Sequence, residues 1–167
     1  MFIIKGDYMN RYLCLLICMA IGLTLLSGCD SDQSAESTDW EPTIYETVNN
    51  LDGVTMIVKD GTVSSTGLTV IFENNSDKQC VYGEEFLLEK KVNGSWYQVP
   101  VALDGNYGFN SIGYDLDPSG NREMTIDWDW IYGSLDAGEY RIVKDILDVK
   151  KAGDYDKYSL TAEFTIG

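Results

Sequence analysis

Short stretches in which apolar and polar residues alternate dominate the chain from residue 54 onward, and this period-two pattern predicts β-strands. Met124, Ile126 and Trp128, for example, alternate with Thr125 and Asp127, which would place one apolar face against a core. No segment in this region keeps apolar residues at the i, i+3, i+4, i+7 spacing of an amphipathic helix. The pattern predicts about seven strands, at 54–59, 68–72, 86–92, 96–99, 122–128, 138–143 and 158–166.

Turn signals separate these strands. Asn93-Gly94 is the strongest of them, because both positions of a tight hairpin turn require positive φ angles that these residues tolerate. Residues 104–120 form a looser stretch that is rich in Gly, Asn and Tyr. Several short strands joined by turns favour an all-β fold, an antiparallel β-sandwich.

The N-terminal region carries a targeting signal. Residues 13–26 contain no charge and follow Arg11, but they are too short for a spanning helix, which needs about 20 apolar residues, and they fit the core of a signal peptide. The run ends in Leu26-Ser27-Gly28-Cys29, which resembles a bacterial lipobox: an aliphatic residue, two small residues and the cysteine that becomes the new N-terminus. The alternative is an ordinary membrane anchor in which Cys29 is incidental.

The lipobox resemblance implies a lipoprotein. Cys29 would receive a diacylglycerol and further acyl chains such as palmitate, and several chains anchor stably where one is marginal. The expected organisation is a signal peptide at 1–28, an acylated cysteine with a flexible, disordered acidic tether at 29–52, and one domain at 53–167. The expected location is the extracytoplasmic face of the cell membrane. The true start is open, because Met9-Asn10-Arg11 is a more usual beginning than the Asp7-containing prelude.

The composition excludes several kinds of chemistry. The chain has no histidine, so Ser-His-Asp catalysis, His-ligated zinc and an imidazole proton shuttle are impossible. Removal of 1–28, which holds two of the 12 Lys+Arg and one of the 27 Asp+Glu, changes the net charge from −15 to −16. This charge excludes nucleic acid as a partner and would attract cationic peptides or Ca²⁺, although solubility is the ordinary explanation.

Cysteine usage excludes an intramolecular disulfide in the mature chain. Cys14 and Cys18 lie in the leader and Cys29 is predicted to be acylated, which leaves Cys80 alone. A reactive thiol needs a base or cationic surroundings, and Lys78 is the one local candidate. A partly buried cysteine at a strand edge is the simpler interpretation.

One turn sharpens the fold prediction. The segment that contains Leu135, Gly138 and Tyr140 resembles the tyrosine corner of immunoglobulin-like sandwiches, in which a tyrosine hydroxyl bonds the backbone a few residues upstream. The glycine would turn the chain and the leucine would plug the end of the sandwich. Ile142 stands where an immunoglobulin domain has a cysteine, so hydrophobic packing must replace that disulfide.

Longer stretches make the chain similar to the bacterial immunoglobulin-like domains of Firmicutes-type lipoproteins. The stretches that carry this resemblance are 81–86, 90–97, 109–114, 128–135 and 138–143. The resemblance implies an immunoglobulin-like antiparallel β-sandwich and a surface location, and it supplies no catalytic residues.

Candidate ligand contacts come from aromatic residues in and beside the loose stretch. Tyr107, Tyr114 and Trp130 would stack on sugars or anchor a protein partner if they were exposed. Burial of most aromatics in this region, with Phe109 and Tyr132 among them, is the favoured expectation, and Tyr107 and Trp130 are the least certain to be buried.

Carboxylates offer a weaker site. Asp127 and Asp129 would share one face of a strand, as a calcium site or a glycosidase pair requires, but a solvated strand face explains them more simply. Glu84 with Glu85 and Asp115 with Asp117 are further pairs without a recognisable loop motif. No cofactor and no metal site are predicted.

Three functions follow in order of preference. The first is a lipid-anchored, non-catalytic interaction module at the cell surface, bound to the membrane through Cys29 and to an unknown envelope protein or polysaccharide. The second is a carbohydrate-binding envelope lipoprotein that uses exposed, coplanar aromatics. The third is an envelope enzyme that uses two carboxylates.

Overall fold

Residues 39–167, which the computed structural model describes, form nine strands in two antiparallel sheets and one short helix. The strands are β1 (Val54–Val58), β2 (Gly67–Asn74), β3 (Gln79–Tyr82), β4 (Leu87–Val92), β5 (Ser95–Gln98), β6 (Tyr114–Leu116), β7 (Asn121–Asp127), β8 (Gly138–Lys151) and β9 (Asp154–Ile166). Helix α1 (Asp129–Tyr132) lies between β7 and β8. The predicted all-β sandwich is confirmed.

The smaller sheet has the order β1-β2-β7, and the larger one is organised around the long strand β8. β9 pairs with β8 over almost its whole length on one side. On the other side, β4 pairs with residues 140–143 of β8 and β3 pairs with residues 146–149. β5 extends the sheet beyond β4, and β6 extends it beyond β3. On this side, β8 therefore pairs with two strands, β3 and β4, which leave a gap between them at Lys144.

The core lies between the two sheets. Phe72 from the smaller sheet stacks on Tyr82 from the larger one, with ring centroids 4.1 Å apart. Leu68, Val70 and Phe72, predicted to share one face, are all buried. The stabilisation comes from apolar burial at about 25 cal/mol per Å² rather than from covalent cross-links, since Cys80 is the free cysteine of the described domain.

The turns follow the expected chemistry. Asn93 and Gly94 have φ angles of 52° and 83°, so both positions of the β4–β5 hairpin adopt the positive φ that the Asn-Gly pair predicts. β3 and β6 were not predicted as separate strands, because four and three residues are too short to show an alternation.

The segment before β1 lies on the larger sheet as irregular chain. The Thr43 N–H donates to the carbonyl oxygen of Trp96 at 3.0 Å, beside β5. The Asn49 side chain bonds Thr161 through both its amide nitrogen and its oxygen, beside β9. Residues 39–53 form no helix or strand beyond an isolated bridge between Pro42 and Tyr97. Part of the predicted tether, 41–51, is thus held by hydrogen bonds on the sheet.

Candidate functional site

Exposed aromatic rings from the loop before β6 and from helix α1 form one cluster. Tyr107 and Trp130 are 42% and 45% exposed, and their ring centroids lie 6.2 Å apart at 79°. Phe109 packs edge-on against both rings. The expectation that most aromatics here are buried is wrong: Tyr132 is buried and Phe109 partly so, whereas Tyr107, Trp130 and Tyr114 are exposed. The loop carries its rings outward because its 99–113 stretch forms no strand and leaves the sheets.

Glu84 positions this loop. Its Oε2 accepts a hydrogen bond from the Asn110 side chain at 2.9 Å, and its Oε1 accepts one from the Tyr114 hydroxyl, also at 2.9 Å. The bond from Tyr114, then that from Asn110, lowers the pKa of the Glu84 carboxyl, since both favour the ionised form. The same bond raises the pKa of the Tyr114 hydroxyl. The C-terminal part of the loop, from Asn110 to Tyr114, is therefore attached to one carboxylate.

A groove of about 600 Å³, here called the aromatic groove, runs beside the loop. Its lining consists of Ile44 and Tyr45, residues 83–87, residues 107–112, Val143 and Asp145. A smaller cavity of about 170 Å³ shares Glu84, Phe86 and Phe109 with it and reaches Asp127 and Trp130. The aromatic groove has the volume of a typical ligand site, about 300–1,000 Å³.

The aromatic groove is negatively charged. Glu84, Glu85 and Asp145 line it, whereas neither it nor the smaller cavity has a lysine or arginine in its lining. Burial raises the pKa of the Tyr45 hydroxyl above 10.0, and the nearby charges of Asp145, Glu89 and Glu85 raise it further. A group that enters this groove therefore meets a negative field beside aromatic faces.

A buried cation, Lys144, lies behind the groove wall. Lys144 is 1% exposed, and its ammonium donates hydrogen bonds to the carbonyl oxygens of Gly83, Glu84 and Glu85 at 2.8, 3.2 and 2.8 Å. Burial lowers the pKa of Lys144 to about 8. These three bonds hold the 83–85 backbone in the gap between β3 and β4, so the cation supports the groove wall from within.

The turn before β8 has the contact of a tyrosine corner. The Tyr140 hydroxyl donates to the carbonyl oxygen of Asp136, four residues upstream, at 2.9 Å. Leu135 and Tyr140 are buried, and Gly138 has a φ of 158° beside the Tyr140 ring. Ile142 is fully buried and packs in the core where immunoglobulin domains have a disulfide.

The paired carboxylates do not form the expected strand-face pair. Asp127 ends β7, but Asp129 is the first residue of helix α1, so the two do not share a strand face. The Asp127 carboxylate instead accepts the backbone N–H of Asp129 at 2.9 Å. Among residues 39–167, no group of three or more His, Cys, Asp or Glu side chains is arranged to hold a metal ion.

Cys80 is buried more deeply than expected. It is fully buried in β3, which lies between β6 and β8, rather than partly buried at an edge. Burial raises the pKa of its thiol, and the charge of Asp148 raises it further, so the unreactive thiol form is favoured.

The predicted lipidation site lies outside the described residues. Leu26, Ser27, Gly28 and Cys29 all precede residue 39. Within the described part of the chain, no helix has the length and apolar character needed to cross a membrane.

Several positioning residues were not found from the sequence. Glu84 was noted as one of two adjacent acids, but its partners Asn110 and Tyr114 are 26 and 30 residues away. Lys144 and the buried pair Glu89–Arg141 carry no local signal beyond a charge within an apolar strand. Such a charge is itself informative, because a lone charged residue on a buried strand needs a partner.

Comparisons with known proteins bear on the fold. No curated protein matches the chain. A solved structure, the ASH/PapD-like domain of human CEP192 (PapD-like domain 7), aligns over 72% of this chain and 93% of its own at 11% identity, with a TM-score of 0.34. The model of the bacterial Ig-like domain family matches residues 50–165, which span all nine strands. The chain therefore belongs to the bacterial Ig-like domain family.

Proposed function

We propose that this protein is a lipid-anchored, extracytoplasmic binding module without a catalytic role. Three features support the proposal: the lipobox-like Leu26-Ser27-Gly28-Cys29, the family of the domain, which is typically non-catalytic, and an exposed aromatic cluster. The exposed cluster carries the binding role, because large rigid rings contribute much contact energy at low entropic cost.

Anchoring supplies the mechanism. Acyl chains on Cys29 would confine the domain to the membrane surface and raise its effective concentration toward a surface partner. In the sequence, the polar stretch at 30–38 separates Cys29 from the described domain. Binding would then combine a weak contact with a high local concentration.

The anchor is tested with Cys29→Ala. We expect the variant to leave the membrane fraction or to accumulate with its leader attached, whereas Cys18→Ala, a matched cysteine change within the leader, fractionates like the wild type. Mass spectrometry of the N-terminal peptide should show acyl groups on Cys29 in the wild type. If Cys29→Ala is processed normally and stays in the membrane, the protein is not a lipoprotein.

Carbohydrate binding is a second candidate, favoured by the exposure of Tyr107 and Trp130 beside the polar side chain of Asn110. The rings stand at 79° to one another rather than coplanar, so only one of them can stack flat on a given sugar. Titration with N-acetylglucosamine oligomers tests this candidate. Saturable quenching of tryptophan fluorescence that Trp130→Ala abolishes would favour it, and an unchanged spectrum would remove it.

A further inference from the structure

We propose that the aromatic groove binds a basic peptide segment, whose lysine or arginine side chains lie on the rings of Tyr107 and Phe109 and pair with the Glu85 carboxylate. This inference rests on the proposed binding function and names the site and the partner class. The juxtaposition that carries it is a groove with acidic and aromatic walls and no base in its lining.

The distribution of charge favours a cation. Most basic side chains of the described domain are already paired, as Lys59 with Glu123, Arg122 with Asp117, and Lys91 with Glu139. Lys157 pairs with Asp145, with 2.5 Å between Nζ and Oδ2, and these two residues line a neighbouring cavity together with Glu85. Glu85 is exposed and belongs to no ion pair within the described domain. An incoming cation would therefore pair with the Glu85 carboxylate, and an anion would be repelled by it.

The aromatic wall favours an organic cation. An ammonium or guanidinium group is attracted to the negative face of an aromatic ring, and the aliphatic stem of lysine or arginine packs on the same ring. Two exposed aliphatic residues flank the groove: Ile44 is 70% exposed and Ile112 is 49% exposed. They favour a segment in which apolar residues stand between the basic ones.

A bare metal ion fits the groove less well. Calcium takes 6–8 oxygen ligands at 2.3–2.6 Å. Both Glu84 oxygens already accept hydrogen bonds, and Asp145 is shared between Ser159 and Lys157. The described residues include no cluster of three metal-ligating side chains.

The groove is formed before any ligand arrives. The Asn110 and Tyr114 bonds to Glu84 hold one wall, and Lys144 holds the backbone of the other. On the outer side, Tyr107 rests against Trp130. A preformed site loses less conformational entropy on binding, which favours measurable affinity for a short segment.

The test uses the full-length protein in detergent micelles and a fluorescein-labelled hexapeptide of alternating lysine and alanine. Anisotropy titrations compare the wild type with Glu85→Lys and Tyr107→Ala. The matched control is Asp60→Lys, an exposed acid in the β1–β2 turn that changes the net charge by the same amount but does not line the groove. Micelle background is common to all variants, and circular dichroism verifies that each variant is folded.

We expect Glu85→Lys to weaken binding at least tenfold and Tyr107→Ala about threefold or more, whereas Asp60→Lys changes it less than threefold. Binding should also weaken as salt increases, because exposed charges are screened. If Glu85→Lys and Asp60→Lys lose the same affinity for the peptide, the binding is general charge attraction, and the proposal that the groove is the binding site is overturned. Equal affinity for the corresponding glutamate-alanine peptide, or no binding of the lysine peptide, would also overturn it.

The inference and the proposed function fail separately. Failure of the peptide titration with normal Cys29-dependent anchoring would leave a surface module whose partner binds elsewhere. If peptide binding depends on Glu85 but Cys29→Ala does not release the protein from the membrane, the groove proposal stands and the lipid anchor is refuted.

Discussion

The ammonium group of Lys144 donates a hydrogen bond of 2.8 Å to the carbonyl oxygen of Gly83, at the point where β8 passes from one neighbouring strand to the other. A continuous strand here would satisfy its own carbonyls through the sheet ladder. The chain instead leaves the sheet between Tyr82 and Leu87, and one buried cation satisfies the three carbonyls that this detour exposes. The interruption of the sheet and the wall of the aromatic groove thus have the same origin.

Lys144→Met should destabilise the domain by about 2–4 kcal/mol, because it leaves three partly buried carbonyl oxygens without the donor that they share. The measurement is the free energy of unfolding from urea denaturation. Lys151→Met, at a lysine whose side chain is 77% exposed, is the control and should change stability by less than about 0.5 kcal/mol. A Lys144→Met variant as stable as the control would contradict the assigned role.

The stability difference between the wild type and Lys144→Met should depend on pH. The pKa of Lys144 is about 8 in the folded state and 10.5 in the unfolded chain, so between these values the unfolded state binds more protons. The contribution of this group to stability is therefore greatest above pH 10.5, falls as the pH decreases from 10.5 to about 8, and is constant below that range. Urea titrations of both proteins at pH 7 and 9.5 should show that the free energy of unfolding of the wild type, relative to that of the variant, is higher at pH 9.5. A difference in stability that does not change with pH would refute the lowered pKa of Lys144.

Tyr140→Phe should destabilise the domain by about 1–2 kcal/mol, because it removes the hydroxyl that donates to the Asp136 carbonyl while it keeps the ring in the core. Thermal unfolding measures the effect. Tyr155→Phe is a matched control, since Tyr155 is 53% exposed, and it should leave the midpoint temperature of thermal unfolding unchanged. Identical transitions in the two variants would argue against a tyrosine corner.

Glu84→Gln should loosen the loop that carries Tyr107 and Phe109. A carboxylate accepts charge-assisted bonds from Asn110 and Tyr114 at once, whereas a glutamine has one neutral acceptor oxygen and an NH₂ that only donates, so it keeps both partners only if the Tyr114 hydroxyl accepts instead of donating, and both bonds are then weaker. Amide hydrogen exchange at 107–113 should accelerate about threefold to tenfold with little change in β2 or β8. The neighbouring Glu85→Gln serves as the control, and an equal acceleration there would show that Glu84 does not position the loop.

Arg141→Met should cost about 3–5 kcal/mol, because it leaves the carboxylate of Glu89 buried without its partner. The Arg141 Nε and Glu89 Oε2 atoms lie 2.6 Å apart, and within the described domain Glu89 Oε1 has no hydrogen-bond partner. The double variant with Glu89→Leu should recover most of the loss in urea denaturation, since no charge then stays buried. A double variant no more stable than Arg141→Met would contradict this account of the pair.

Strands that are buried on one side, such as β2 and β7, were predictable because their sequences record that burial, whereas β8 was predicted only over 138–143 and β9 only over 158–166. The face formed by Leu68, Val70 and Phe72 is buried as expected, and the Asn93-Gly94 turn has the expected backbone. Helix α1 was not predicted, because Trp128 continues the apolar alternation of β7 and conceals the point where the chain leaves the sheet.

The candidate site was only partly predictable. Tyr107 and Trp130 were identified as aromatics with an uncertain environment, and both line exposed cavities. Their exposure depends on where the 99–113 loop runs, and that path depends on hydrogen bonds to Glu84 and to the Ile131 carbonyl from distant parts of the chain. A composition rich in Gly, Asn and Tyr indicates a loop but not its direction.

Residue type and local periodicity suffice to predict the class of fold, the family, the acidic composition and the absence of histidine chemistry. The three-dimensional structure is needed to show that β8 pairs with β3 and β4 on one side, that Lys144 closes the gap between them, and that acids and aromatic rings meet in one groove. These relationships join residues far apart in the chain. Local propensity contains no information about which distant backbone groups a buried charge must satisfy.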